Sequence, residues 1–535
     1  MIGFPTDTMA QPSTRRSSFL VASGILLSRI AGLIRDRVFA HYFGNSDAAD
    51  AFKAALRIPN FLQNMFGEGV LSASFIPVYA GALARGDEAE ARRTAGAVAA
   101  MLALLISTLV LIGVLATPLL IDLIAPGFSG EKRELTIRLV RILFPGAGLL
   151  VLSAWCLGIL NSHHKFFLSY TAPVVWNLAM IAALVAFGGR REQFPLSIIL
   201  AWGAVVGSAL QVLVQLPTVL RLLQGLHLSL DHRSENVRTV ARNFTPVLIS
   251  RGVVQISAFI DALIASLLPT GAVSALAYAQ TLYTLPVSLF GMSVSAAELP
   301  AMSGAVGTPE EVAAALRTRL DSGLRQIAFF VVPSCMAFLA LGDVIVAAIY
   351  QTGRFQHADV IYVWGILAGA TVGLLASTLA RLYSSTYYAL RDTRTPLKYA
   401  VLRVALTTVL GYLCAVPGPL WLGISPRWGV AGLTASAGFA GWIEFYLLRR
   451  TLNRRIGRTG LPASFLGRLW ACAAAAAVVG AGLHLAWGPE HPVFAAALVL
   501  SAYGAVYFLA TSLAGIPETQ KFLQLAKRAS GLNGS

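Results

Sequence analysis

The stretch Asp50-Ala51-Phe52-Lys53-Ala54-Ala55-Leu56-Arg57-Ile58-Pro59-Asn60-Phe61-Leu62-Gln63-Asn64-Met65-Phe66-Gly67-Glu68 decides the fold. Its polar members Asp50, Lys53, Arg57, Asn60, Asn64 and Glu68 recur every three or four residues in otherwise apolar sequence. At about 100° per residue they share one narrow helical face. The preceding apolar segment, 19–43, carries Arg29, Arg35, Asp36 and Arg37. A charge at the centre of a bilayer costs roughly 2.5–3.5 kcal/mol on insertion scales, so lipid is not what these groups face. A water-filled cavity shared between helices accommodates them, and one rich in arginine suits an anionic group.

Working outward, the chain has 535 residues, 56% of them hydrophobic and only 12% charged. Its mean hydropathy is +0.69. These values lie outside the range of soluble globular proteins. Apolar runs of eighteen or more residues, each long enough to cross about 30 Å of hydrocarbon as a helix, recur from end to end. The expected spans are 19–43, 50–82, 94–125, 134–160, 166–188, 195–224, 239–268, 272–304, 322–350, 358–388, 396–416, 427–449, 464–486 and 492–514. The reading is an all-α polytopic membrane protein of about fourteen transmembrane helices.

The net charge of +16 is scattered over short loops with no nucleic-acid-binding motif. Every second loop is the richer in basic residues, including Arg92 and Arg93, Lys165, Arg317 and Arg319, Arg391 and Arg394, and Arg454 and Arg455. The positive-inside rule makes those loops cytoplasmic, and both termini with them. The first apolar segment is too long and too charged for a cleavable signal peptide, so it reads as a retained helix. Cys156, Cys335, Cys414 and Cys472 lie in apolar spans without metal-ligand spacing, and packing is their expected role. The chain lacks the His-Glu-x-x-His, phosphate-loop and nucleophile-elbow motifs, so it reads as a transporter with no cofactor or metal rather than an enzyme.

An internal repeat organises the chain. Ser72-Ala73-Ser74-Phe75-Ile76-Pro77 answers Ser295-Ala296-Ala297-Glu298-Leu299-Pro300, and Thr171-Ala172-Pro173 answers Arg394-Thr395-Pro396, both at an offset of 223 residues. Residues 1–225 and 239–450 are therefore expected to be two six-helix lobes. They are joined by a cytoplasmic linker at 226–238 and followed by two additional helices within 451–514 and a cytoplasmic tail at 515–535. An even number of spans in each copy makes the repeat parallel, with a site expected between the lobes.

Within the first lobe, Arg29 and Glu68 fall at similar depth and are expected either to pair or to line the cavity. Arg57 lies further out on the face of Glu68. Asp50 and Lys53 are placed near the outer interface, where snorkelling accounts for them. Arg35, Asp36 and Arg37 lie at the outer end, where they pair with one another, meet lipid phosphates or contact substrate. In the second lobe Arg251 is expected to face the cavity beside Gln255, and Asp261 and Glu298 are ion or proton sites or else silent helix-to-helix hydrogen bonds. These acids are compatible with coupling to sodium, to protons or to the membrane potential.

Ser28-Arg29-Ile30-Ala31-Gly32-Leu33-Ile34-Arg35-Asp36, Phe43-Gly44, Asp50-Ala51-Phe52, Ile58-Pro59-Asn60, Phe66-Gly67-Glu68-Gly69 and Phe75-Ile76-Pro77 together resemble the MurJ (MviN) family of lipid II flippases. That family sits within the multidrug/oligosaccharidyl-lipid/polysaccharide exporter superfamily, and the resemblance extends over nearly the whole chain. It implies export of lipid II, the undecaprenyl-diphosphate-linked disaccharide peptide, across a bacterial inner membrane, for cell-wall biogenesis and cell shape. Membrane lipids, and proteins of cell-wall synthesis, are the implied partners. The resemblance also implies a cationic central cavity, with Arg29 and Arg35 as substrate contacts and Asp50 as an important acid. Two departures stand out: Gln63 and Asn64 replace a common arginine pair, and Gln280-Thr281 replaces an Asp-Arg pair. Either Arg57 and Arg251 compensate, or the substrate is another lipid-linked or amphipathic molecule. An ion-coupled drug exporter and a non-transporting scaffold are the competing classes. The basic tail residues Lys521, Lys527 and Arg528 are expected at anionic lipid.

Overall fold

The computed structural model describes residues 13–231, 234–487 and 491–520; of these, 13–22, 68, 247 and 249–258 are described by backbone alone. The tail lysines and Arg528 fall outside this set. The chain divides into two compact units, Met1–Phe259 and Ile260–Ser535. Among the described residues the regular structure is helical, with one isolated bridge between Thr352 and Phe355.

The first unit holds α1 (Ser13–Phe43), α2 (Asp47–Phe66), α3 (Glu68–Ser74), α4 (Ile76–Ala84), α5 (Glu88–Leu115), α6 (Thr117–Ile124), α7 (Gly130–Ser162), α8 (Phe166–Phe187) and α9 (Gln193–Leu222), with the start of α10 (Glu235–Ser266). Its centre is α7, which packs on α2, α5 and α9 and is buried along most of its length. One hydroxyl of α7 links two buried glutamines of α9. Gln211 Nε2 donates to Ser153 Oγ at 2.9 Å, and that hydroxyl donates to Gln215 Oε1 at 2.8 Å. Small residues let α9 approach α8: a Cβ at Gly207 would stand 3.0 Å from the Trp176 carbonyl.

The second unit continues with α11 (Ala272–Pro286), a π-helical turn (Val287–Met292), α12 (Ser293–Ser303), α13 (Pro309–Ala340), α14 (Gly342–Tyr350), α15 (His357–Thr371) and α16 (Leu374–Ala389). After these come α17 (Arg394–Ala415), α18 (Pro417–Trp421), α19 (Gly429–Ile456), α20 (Ala463–Trp487) and α21 (Pro492–Leu513). Here α16 is the buried centre, packed on α12, α13 and α19. Tyr387 of α16 donates its hydroxyl to the Leu448 carbonyl of α19 at 3.0 Å.

Among the described residues, ten helical segments are long and apolar enough to cross a membrane, or eleven when α15 and α16, bent by 41° to each other, count as one span. Three more of the expected spans correspond to α1, α10 and α19, long helices that do not meet that standard among the described residues. All three carry internal charges.

Several spans expected to be continuous are jointed. The second breaks at Gly67 and again at Phe75. A Cβ at Gly67 would collide with the Gln63 carbonyl, so only glycine fits that joint. The span at 94–125 breaks at Ala116 ahead of Pro118, and the one at 322–350 breaks at Leu341, where Gly342 lies against the Trp364 indole. The eighth span passes through the π-helical turn just after Pro286. Of the cysteines, Cys156, Cys335 and Cys472 are buried, whereas Cys414 is exposed on α17, so packing does not account for it.

A proline in a helix deprives the carbonyl four residues earlier of its donor. In α13 Pro333 does this to Phe329, and Tyr507 of α21 supplies the missing donor at 2.6 Å. Tyr503 donates to the Pro333 carbonyl at 2.7 Å. These two tyrosines dock α21 on α13. At the other end of the unit, Asp392 caps the start of α17: its Oδ1 accepts from the backbone N–H groups of Arg394 and Thr395, both at 3.0 Å. Arg455 binds Asp392 Oδ2 at 2.7 Å. The Thr395 contacts, and then Arg455, hold the Asp392 carboxyl down at about 2.

Tyr507→Phe is expected to lower the stability of the purified protein by roughly 0.6–1.7 kcal/mol, the range for interhelical hydrogen bonds in membranes. Thermal melting in detergent checks this, and an unchanged melt refutes the docking role. Asp392→Ala is expected to lower the melting temperature at neutral pH through loss of the cap. Because the folded-state pKa lies below the unfolded value, the stabilisation is present above about pH 4 and lost as pH falls towards 2. The difference between the two proteins should therefore narrow only in acid.

Candidate functional site

The polar face read from the sequence forms on α2, with one revision. Lys53, Arg57 and Asn60 are half-buried and Asn64 is exposed, so positions i, i+4, i+7 and i+11 make an open stripe. Asp50 leaves that stripe. It is 1% exposed and turned against α7, where Lys132 Nζ donates to its Oδ2 at 2.7 Å and reaches Asp47 Oδ1 at 2.9 Å. Snorkelling to an interface therefore does not describe Asp50: a buried carboxylate needs a cation, and α7 brings one. Lys132 also stands 4.3 Å over the Phe128 ring.

One turn further along, Asp36 of α1 joins three helices. It is 4% exposed and its Oδ1 accepts from Arg35 Nη2 and from Lys53 Nζ, each at 3.1 Å. The same Arg35 donates through Nη1 to Asn177 Oδ1 of α8 at 3.0 Å and lies 5.1 Å over the Trp176 ring. Asn177 in turn donates to the Pro173 carbonyl at 3.0 Å. Lys53 stands 4.6 Å over Phe39. Of the alternatives given for Arg35 and Asp36, the structure shows the mutual ion pair, and Lys53, which snorkelling was to account for, is held in the same internal network.

Arg29 behaves differently. It is exposed midway along α1 and has no ion-pair or hydrogen-bond partner among the described residues. A guanidinium held open in a membrane-embedded unit is available to an incoming anion, and its planar fork matches phosphate oxygens. Glu68, its expected partner, lies outside the residues whose side chains are described, as do Arg251 and Gln255. Asp261 is half-buried on α10. Glu298 is half-buried on α12 and faces Arg319 of α13 at 3.5 Å, within its own unit.

Sequence reasoning missed Lys132, Trp176 and Asn177, whose roles exist only through helix packing. It also passed over Arg381, Arg403 and Glu444, although charges inside apolar stretches are the signal that singled out Arg29.

The model of the lipid II flippase MurJ family matches residues 39–502. The chain is 31% identical over 443 residues to the probable lipid II flippase MurJ of Haemophilus influenzae, covering 80% of this chain and 84% of that one. It is 32% identical over 447 residues to the lipid II flippase MurJ of Burkholderia cenocepacia, covering 82% and 84%. In fold it is similar to a solved lipid II flippase MurJ in an inward closed conformation, with a TM-score of 0.75 at 24% identity over 92% of this chain and 98% of that one. The match spans both units, including α2 and its stripe, and on this ground the chain belongs to the lipid II flippase MurJ family.

Proposed function

We propose that the chain moves the lipid-linked peptidoglycan precursor lipid II from the inner to the outer leaflet of a bacterial cytoplasmic membrane, by alternating access and with both termini cytoplasmic. The observation that carries this reading is the open guanidinium of Arg29, within a unit whose buried intramembrane acids Asp36 and Asp50 are paired internally. A diphosphate carries its charge with it and cannot cross hydrocarbon unaided. Arg29, with Arg57 on the stripe of α2, supplies cationic groups that replace part of its hydration, while the prenyl chain stays in lipid. Arg35 is a poorer contact than its charge alone suggests, because Asp36 and Asn177 already occupy its fork. Asn60 and Asn64 offer amides to the sugar and peptide portions. Arg251 is a further cation on α10, and Gln255, Asp261, Glu298 and Glu68 are the remaining polar groups open to a coupling sodium ion or proton.

Translocation of lipid II by the purified protein in liposomes tests the proposal; transport of a cationic drug in place of lipid II would replace it with a drug-exporter reading. Arg29→Ala is expected to abolish both translocation and complementation of a flippase-depleted strain, with insertion and melting temperature unchanged because Arg29 anchors no partner among the described residues. Normal growth of that variant removes Arg29 from the site. Lys132→Ala is expected to act the other way, lowering stability by on the order of 3 kcal/mol because Asp50 loses a buried partner. The pair Asp50→Asn with Lys132→Met should recover most of that loss in a thermal melt, whereas equal melts for the single variant and the unaltered protein contradict the role given to Lys132.

A further inference from the structure

Helix α16 is buried at eleven positions between Leu374 and Tyr387, and apart from its terminal residue Ala389 what remains open on it is one line: Ser377, Arg381, Ser384 and Tyr388. Their spacing of i, i+4, i+7 and i+11 is that of the stripe on α2. Every member is polar. The neighbouring α17 is the contrast, because its exposed residues include Val401, Leu402, Val409 and Leu413, as a lipid-facing surface requires. An all-polar line with an arginine at its centre is a wetted surface instead.

Arg381 lies eight residues from the end of α16, about 12 Å along the axis. The adjoining ends of α16, α17 and α19 meet where Arg455 binds Asp392. Below that layer, Arg403 of α17 and Glu444 of α19 pair at 3.4 Å, with Glu444 largely buried and Arg403 about a third exposed. Both lie within Coulombic range of Arg381, as does Tyr283, whose hydroxyl is engaged with Ser377 Oγ at 2.9 Å. Glu444 is thereby committed to Arg403. The Arg381 guanidinium makes no ion pair or hydrogen bond among the described residues. Two guanidiniums and one carboxylate leave one uncompensated positive charge, and the like charges of Arg381 and Arg403 repel. A bound anion relieves both.

We infer that Arg381 is a second anion-binding residue, on the open stripe of α16, taking one oxyanion of the transported molecule, a phosphate or a peptide carboxylate. The inference rests on the flippase reading and deepens it, and it concerns a residue that neither the sequence nor the resemblance singled out. Glu444 and Arg403 are positioning residues in this account: they set the local charge and leave Arg381 as the free fork.

The test measures binding of lipid II, of farnesyl diphosphate and of the soluble muramoyl peptide to the purified full chain in detergent, for the unaltered protein, Arg381→Met and Arg381→Lys. Arg381→Met, which keeps the length of the side chain without its charge, is expected to weaken lipid II binding roughly ten- to a hundredfold. Arg381→Lys should restore part of it, and all three proteins should melt alike. A parallel loss with farnesyl diphosphate assigns the oxyanion to the diphosphate, and a parallel loss with the muramoyl peptide assigns it to a carboxylate. If the unaltered protein binds lipid II and Arg381→Met binds it equally well, the inference is overturned while the flippase reading stands. If the unaltered protein neither binds nor translocates lipid II, the flippase reading falls and this inference with it.

Discussion

Asp36 accepting both Arg35 and Lys53 is the contact around which the first unit is arranged. A carboxylate removed from water is costly unless cations and hydrogen bonds replace its solvation, and here they come from its own helix and from α2. Arg35 then carries the network to Asn177 of α8. Three helices are fixed by one charge, and Asp50 with Lys132 fixes α2 to α7 in the same manner. With these groups satisfied internally, Arg29 of α1 and Arg138 and Arg141 of α7 are exposed cations of the first unit.

The same requirement governs the backbone. A membrane helix has no water to satisfy a carbonyl that has lost its donor. Where Pro333 removes the donor for Phe329, Tyr507 provides one from another helix, so a local defect becomes a docking point. The joints at Gly67, Phe75, Ala116, Leu341 and Gly373 divide long spans into rigid pieces. A protein that alternates between two openings needs such pieces and joints. The π-helical turn after Pro286 belongs with them.

Each unit presents one polar stripe at the same helical spacing: Lys53, Arg57, Asn60 and Asn64 on α2, and Ser377, Arg381, Ser384 and Tyr388 on α16. The stripes differ in charge density. The first carries two cations on the helix itself. The second carries a single arginine whose surroundings are tuned by a buried ion pair on α17 and α19.

Much of the fold was legible in the sequence because hydrocarbon is an unforgiving solvent: apolar run length reports helices directly, and a charge inside such a run reports water or a partner. That reasoning gave the helical membrane class and, without Asp50, the polar face of α2. It did not give the joints inside the spans, because a break at Gly67 or Gly373 depends on what approaches the glycine. Partner choice was equally hidden. Asp50 and Lys53 lie three residues apart on one helix, yet one turns to Lys132 and the other to Asp36, since α7 and α1 arrive on different sides. Sequence periodicity says which residues share a face; only packing says what that face meets, because a charge buried in lipid is satisfied by whichever helix lies beside it.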